Sequence, residues 1–148
     1  MAKIVFDYDV SFVRFLGTYA SVDDVIALDE RELAQIGGSF DAIASRMELI
    51  LEYAYTAPRG NTFGALATPL FDDHVTILFY GLTKGFQVCP FTHCDSNSWS
   101  DVVRIENPHT QRRLTINKGI LHLARDHHLL EKGNEYGISA KEFYDHFI

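Results

Sequence analysis

The stretch Val102-Val-Arg-Ile-Glu-Asn-Pro-His-Thr-Gln-Arg-Arg-Leu-Thr-Ile116 is the clearest indication of the fold class of this chain. Polar and apolar residues alternate at both of its ends, which is the pattern of strands with one buried face. Asn107-Pro108 between the two ends is a turn signal. The stretch therefore predicts an antiparallel strand pair, Val102–Glu106 and Arg113–Ile116.

Two further strand signals precede this pair. His74–Tyr80 is rich in residues that favour strands, and Phe86–Val88 is a shorter run of the same kind. Gly81–Gly85 between them has the composition of a turn. The sequence thus predicts a meander of about four strands.

Helices are predicted before the sheet. Ser21 begins a segment with a capping-box-like start and helical apolar spacing, and Leu28-Asp29 is a candidate break within it. Ser39 or Asp41 caps a second helix, which ends near Tyr55.

Two more helices are predicted after the sheet. One runs from about Lys118 to Glu131, with Gly133 as its stop, and Ser139–Glu142 caps a last short helix. The order of elements predicts an α+β fold: N-terminal helices, a roughly four-stranded antiparallel sheet with a cysteine knuckle, then C-terminal helices. We expect residues 1–148 to form a single domain.

Composition narrows the function classes. The chain has 47% hydrophobic residues, 22% charged residues and a formal net charge of -7, which are values of a globular protein with no general affinity for phosphate backbones or anionic membranes. No signal-peptide pattern follows the first residues, and the longest apolar run, Val75–Leu82, is too short to cross a bilayer. We therefore expect a cytoplasmic protein.

Cysteines and histidines supply the one constellation with specific chemistry. The only two cysteines lie in Cys89-Pro-Phe-Thr-His-Cys94, and the later apolar stretch carries His122-Leu-Ala-Arg-Asp-His127. Thiolates and imidazoles together suit zinc, a borderline-soft ion that binds four ligands tetrahedrally in structural sites. The predicted ligands of a Zn²⁺ ion are Cys89, Cys94, His122 and His127.

This part of the chain, Cys89 to about Lys132, resembles the Cys2His2 zinc finger. It is similar in ligand identity, ligand order and histidine spacing. It departs in the linker, because 27 residues separate Cys94 from His122, whereas the finger pattern has about 12 to 15. An extra strand pair would account for the excess, and this departure argues against the finger's usual way of reading DNA.

The same residues also fit a site without metal. Cysteine often fills space in a core, and His127 falls on the main apolar stripe of its helix. His122 lies about 140° from His127 around an ideal helix, so joint ligation requires a bend or an end-on approach. His93 and His128 are competing donors. A cysteine paired with a distant histidine could alternatively act as a nucleophile, although nothing in the sequence marks either thiol as activated.

A basic cluster marks the predicted hairpin. Arg104, Arg112, Arg113 and Lys118 gather there in an otherwise acidic chain. They could contact phosphate or an acidic partner, but a solvated hairpin balanced by carboxylates is the interpretation we favour.

The function that these patterns favour is a small zinc-stabilised domain that binds a protein partner or forms a homo-oligomer. No metalloprotease, deaminase, P-loop, dinucleotide-binding or nucleophile-elbow motif is present. One alternative is a metal-dependent hydrolase with an open zinc site and Asp95, Asp126 or His128 as acid–base. Another is a nucleic-acid-binding protein that uses the Arg104–Lys118 hairpin. Aromatic residues near both ends, including Phe143 and Phe147, are candidates for a partner surface or for packing on each other.

Overall fold

The computed structural model describes residues 21–56, 70–87, 89, 91, 99–132 and 136–148. Lys3–Phe6, whose sequence could add an edge strand, lies outside these residues. In chain order the elements are α1 (Val22–Gln35), α2 (Phe40–Thr56), β1 (Leu70–Asp72), β2 (Val75–Gln87), β3 (Trp99–Glu106), β4 (Arg113–Ile116), α3 (Lys118–His127) and α4 (Ala140–Phe147). The α+β prediction, with helices before and after an antiparallel sheet in chain order, is confirmed.

The helices begin where side chains can satisfy their first backbone N–H groups. The Ser21 hydroxyl accepts from the Asp24 N–H at 3.1 Å, and Ser39 does the same for Ala42 at 3.1 Å. Ser139 forms a reciprocal capping box with Glu142 at the start of α4. The predicted helix starts are therefore correct. Among the described residues, no helix combines the length and the apolar character needed to cross a bilayer.

The strands form an antiparallel sheet in the order β1-β2-β3-β4. The turn between β3 and β4 is built on Asn107, whose side-chain oxygen accepts from the backbone N–H groups of His109 at 2.7 Å and Thr110 at 3.0 Å. Gln111 completes the turn with a positive φ of 62°. The predicted turn at Asn107-Pro108 is therefore correct.

Strand β2 is longer than the sequence predicts. Gly81–Gly85 lies inside this strand and is not a turn, and His74–Tyr80 and Phe86–Val88 are therefore not separate strands. Pairing with β3 continues through two irregularities in register, one between Ile77 and Phe79 and one between Leu82 and Gln87. Glycines in a strand interior often mark such bulges. The fourth strand is instead β1, which was not predicted.

Two predicted helix boundaries are also wrong. Helix α1 runs through Leu28-Asp29 without a break. Helix α3 ends at His127, not near Glu131, because His128 adopts the left-handed conformation with a φ of 51°. The N–H groups of His128 and Leu129 both bond the Leu123 carbonyl, which terminates the helix.

The hydrophobic core lies between the sheet and helices α2, α3 and α4. Residues of β2, β3 and β4 that point to this side are fully buried, and so are Phe143 and Phe147 of α4. These two aromatic residues therefore belong to the core and do not form a partner surface. A second, smaller apolar cluster lies beside α1, and Cys89 packs against it. Its members are Val22, Val25, Ile26, Phe91, Leu123 and Leu129.

A buried ion pair joins α1 to the C-terminal segment. Asp29 is 1% exposed, and one of its carboxylate oxygens accepts from Lys132 Nζ at 2.9 Å. The other oxygen accepts from the Ala140 N–H at 3.3 Å, and Lys132 also donates to the Ile138 carbonyl at 3.1 Å. The pair thus fixes the chain that follows α3 against α1.

We predict that Asp29→Ala destabilises the protein by roughly 3–5 kcal/mol, because it leaves the Lys132 ammonium buried without its counter-charge. Urea unfolding followed by circular dichroism measures this. Arg31→Ala, an exposed change on the same helix, is the matched control and should cost less than about 0.5 kcal/mol. Equal stability of the two variants would contradict the prediction.

Candidate metal centre

Cys89, His122 and His127 converge on one point. Each offers a ligand atom, these atoms all lie within 4.8 Å of one another, and each residue is partly buried. Cys89 Sγ is 3.4 Å from His127 Nε2, and the two imidazole rings meet edge to face with their centroids 4.9 Å apart. The three side chains are close enough together to hold a metal ion.

The positions of these residues follow from the ends of two elements. Cys89 comes shortly after β2, and both histidines lie on α3. His122 and His127 would diverge by about 140° on an ideal helix. In the structure they meet nonetheless, near the C-terminal end of α3, with their ring centroids 4.9 Å apart.

Asp126 and Trp99 hold His122 from two sides. His122 Nδ1 is 2.8 Å from an Asp126 carboxylate oxygen, and its ring stacks on Trp99 with centroids 5.3 Å apart. Trp99 in turn packs on Gly119, where an added Cβ would come within 2.8 Å of the indole. Because Nδ1 is paired with Asp126, ligation by His122 would use Nε2. Carboxylate partners of this kind commonly orient metal-binding histidines.

An aromatic partner also holds His127. The Phe91 ring stacks on the imidazole with centroids 4.0 Å apart and an interplanar angle of 11°. Burial lowers the pKa of His127 from its ordinary 6.5 to about 4, and the neighbouring His122 adds to this shift. The ring is consequently neutral at physiological pH, which is the form that binds metal.

The start of α3 is fixed by a buried carboxylate. Asp101 of β3 accepts hydrogen bonds from the Tyr55 hydroxyl and, at 3.2 Å, from the Lys118 backbone N–H. Burial and the hydrogen bond to Asp101 raise the pKa of Tyr55, which keeps its hydroxyl a donor. The Asn117 side chain adds an N-cap by accepting from the Ile120 N–H at 2.8 Å. These contacts set where α3 begins and, one turn later, where His122 lies.

The observed distances are compatible with zinc. Zn–S bonds of about 2.3 Å and Zn–N bonds of about 2.0–2.1 Å at a tetrahedral angle place sulfur and nitrogen about 3.6 Å apart. The 3.4 Å between Cys89 Sγ and His127 Nε2 is close to that separation. The donor set, one thiol and two imidazoles, is also chemically suited to this ion.

The remaining sequence-predicted donors divide into two groups. Cys94, His93 and Asp95 lie outside the described residues. His128, which is described, lies elsewhere: its ring stacks on Phe40 with centroids 4.8 Å apart, and its Nδ1 is 3.4 Å from Glu30 Oε1. His128 is therefore not part of the cluster. The predicted extra strand pair between the cysteines and the histidines is present as β3 and β4.

The basic residues of the hairpin do not all lie together. Arg104, Arg112 and Arg113 line one groove on the sheet. Lys118 lies apart from it, with Nζ 5.0 Å from the centre of the Tyr55 ring. The helix that would enter a DNA groove in a zinc finger is packed against α2 and the sheet through Ile120 and Ala124.

Three residues around the cluster were missed by the sequence reasoning. The sequence indicates Asp126 only as an acid–base, although its i,i+4 spacing from His122 is a signal for a side-chain pair. Phe91 and Trp99 carry no such signal. Ring stacking between residues distant in the chain leaves no local pattern in a sequence.

No protein-family model, no curated protein and no solved structure matches this chain.

We predict that Asp126→Asn weakens zinc binding about 10- to 100-fold, because the amide no longer supplies the charge that orients and polarises His122. Competition with a zinc-sensitive chelating dye measures the affinity. Asp23→Asn, an exposed change on α1, is the control and should leave the affinity unchanged. Equal zinc affinity in Asp126→Asn and the unmodified protein would show that the carboxylate does not support the ligand.

Proposed function

We propose that this protein is a small zinc-stabilised domain that acts by binding another protein or a second copy of itself. The observation that carries the zinc part is the convergence of Cys89, His122 and His127, with a carboxylate behind His122. Cys94 is the proposed fourth ligand. The ion would join the chain after β2 to the end of α3.

A structural role suits the surroundings of the cluster. Cys89 packs against the apolar residues beside α1, and Leu123 of that cluster lies on the same helix as both histidines. A metal ion there would cross-link the chain after β2 to α3, next to this apolar cluster. Because ligands rarely preassemble in an unfolded chain, the free energy of metal binding would contribute to folding.

We favour association over catalysis because of the chemistry of the four proposed zinc ligands. Two thiolates would neutralise the charge of Zn²⁺, which weakens the ion as a Lewis acid and as an activator of water. A site closed by four protein ligands also has no position for substrate.

The alternative of a metal-dependent hydrolase rests on a different ligand count. Cys89, His122 and His127 alone would form the three-ligand set typical of catalytic zinc, with water in the fourth position. Asp126 is already paired with His122 at 2.8 Å, so it suits orientation of a ligand better than acid–base catalysis. A metal-free Cys89–His127 nucleophile is a further alternative on the same 3.4 Å contact.

We predict one zinc ion per chain in protein purified without a metal-affinity resin, as measured by elemental analysis. Cys89→Ser should lose the zinc and destabilise the protein by about 4 kcal/mol or more, the range associated with loss of a structural metal. Any cobalt that the same variant still binds should show a weaker thiolate-to-metal absorption band, because one of the two proposed thiolates is gone.

His128→Asn is the matched control for the zinc prediction. It changes the neighbouring histidine, which lies outside the cluster, and asparagine tolerates the left-handed conformation at this position. This variant should keep its zinc. If the unmodified protein is well folded but contains almost no metal, the zinc proposal is overturned and the Cys89–His127 thiol chemistry is favoured.

We predict that zinc-loaded protein forms a stable homo-oligomer or retains a partner in a pull-down. Light scattering after size-exclusion chromatography measures the first, and mass spectrometry of the recovered proteins the second. Asp126→Asn, assayed under zinc saturation, should not change the association, because the metal would shape the scaffold without touching the partner. A monomer that has no partner and hydrolyses a model ester only with metal bound would replace this proposal with the hydrolase.

A further inference from the structure

A groove beside strands β2, β3 and β4 is a second candidate site. It has a volume of about 520 Å³ and is lined by Leu78, Phe79, Arg104, Arg112, Arg113, Leu114 and Thr115. This volume is within the range of sites for small organic ligands, roughly 300–1,000 Å³. It lies outside the metal cluster and shares no residue with it.

Strand alternation explains why Arg104 lines the groove. Arg104 pairs with Thr115 across β3 and β4, and also with Phe79 of β2. Its neighbours Val103 and Ile105 point to the opposite side and are fully buried in the core. Because successive side chains of a strand alternate between faces, Arg104 projects from the face that carries the groove.

The three guanidinium groups are held in different ways. The Arg104 guanidinium lies 5.6 Å from the centre of the Phe79 ring. Arg112 donates to the Gly137 carbonyl at 2.9 Å, and its separation from the Glu142 carboxylate is 3.5 Å. Arg113 pairs with Glu106 at 2.7 Å, but its side chain is 72% exposed, so this pair is screened by water.

The groove is lined by arginines and by apolar residues, and each kind fits a different part of a ligand. Guanidinium groups present paired N–H donors that fit the oxygens of a carboxylate or a phosphate. Leu78 and Phe79 offer apolar surface next to them, and Phe79 is already covered on one side by Arg104. An inorganic anion would contact only the arginines, and an uncharged apolar molecule would contact only Leu78 and Phe79.

We infer that this groove binds a small amphipathic organic anion, with its carboxylate or phosphate head on the arginines and its apolar body on Leu78 and Phe79. The charge of the head complements the local cluster in a chain whose formal net charge is -7. The inference does not depend on the metal cluster.

Isothermal titration calorimetry with octanoate and octyl phosphate tests it. Octanol and acetate are the matched probes, since each retains one part of octanoate and lacks the other. We expect saturable binding of at least one amphipathic anion, with octanol and acetate weaker by about tenfold or more. Whichever of the two anions binds more tightly identifies the head group.

Arg104→Gln should weaken this binding about tenfold, while Arg31→Gln, an exposed arginine of α1, should leave it unchanged. Arg113→Gln provides a second test if Arg104→Gln fails to fold, because the Arg113 side chain is largely exposed. Circular dichroism checks folding of each variant, and the zinc content of each should equal that of the unmodified protein.

Three results would overturn the inference. One is equal affinity for octanol and octanoate, which would mean apolar contact alone. Another is octanoate binding that neither arginine substitution alters. The third is a mixed DNA or RNA oligonucleotide that binds saturably, displaces octanoate and loses affinity in Arg113→Gln, which would assign the groove to nucleic acid.

Discussion

The packing of α3 between α2 and the sheet is the constraint on which the rest of the structure depends. Ile120 and Ala124 bury one side of this helix in the main core, and Leu123 contributes to the smaller cluster beside α1. Asp101 fixes the start of the helix, and the left-handed His128 fixes its end. Because contacts fix both ends and two sides of α3, they also fix its position and its rotation about its own axis. That rotation brings His122 and His127 to Cys89, so the cluster is a consequence of the packing.

The sequence predicts those parts of the fold that depend on neighbouring residues. Ser21, Ser39 and Ser139 begin helices because a short hydroxyl side chain can satisfy nearby backbone N–H groups. Asn107 forms its turn by the same kind of local bond. The predicted helix boundaries that are wrong depend instead on contacts between residues distant in the chain. The break predicted at Leu28-Asp29 is absent, since Asp29 is buried and bonded to Lys132, which is distant in the chain.

The candidate site, too, was predictable only where it depends on residue type and local spacing. Cysteine and histidine spacing singled out Cys89, His122 and His127, since ligand type is a property of single residues. Helical geometry alone argued against their meeting, because His122 and His127 diverge on an ideal helix. The structure nonetheless brings the two rings together, with centroids 4.9 Å apart. The arginine groove shows the same limit, because strand alternation places Arg104 on one face but does not predict that Arg112, which precedes β4, lines the same groove.

A continuous set of contacts connects the cluster to the groove. The chain beyond His127 is tied down by Lys132, which bonds both Asp29 and the Ile138 carbonyl, and the adjacent Gly137 carbonyl accepts from Arg112. Contact of this kind is insufficient for communication, which requires an element with two discrete arrangements that both sites bias. The described residues on either side of this link are held by a buried ion pair and by backbone hydrogen bonds. The metal would therefore support the groove as part of a rigid scaffold, and ligand binding at the arginines would leave zinc affinity unchanged, as linkage requires when the two sites share no switching element.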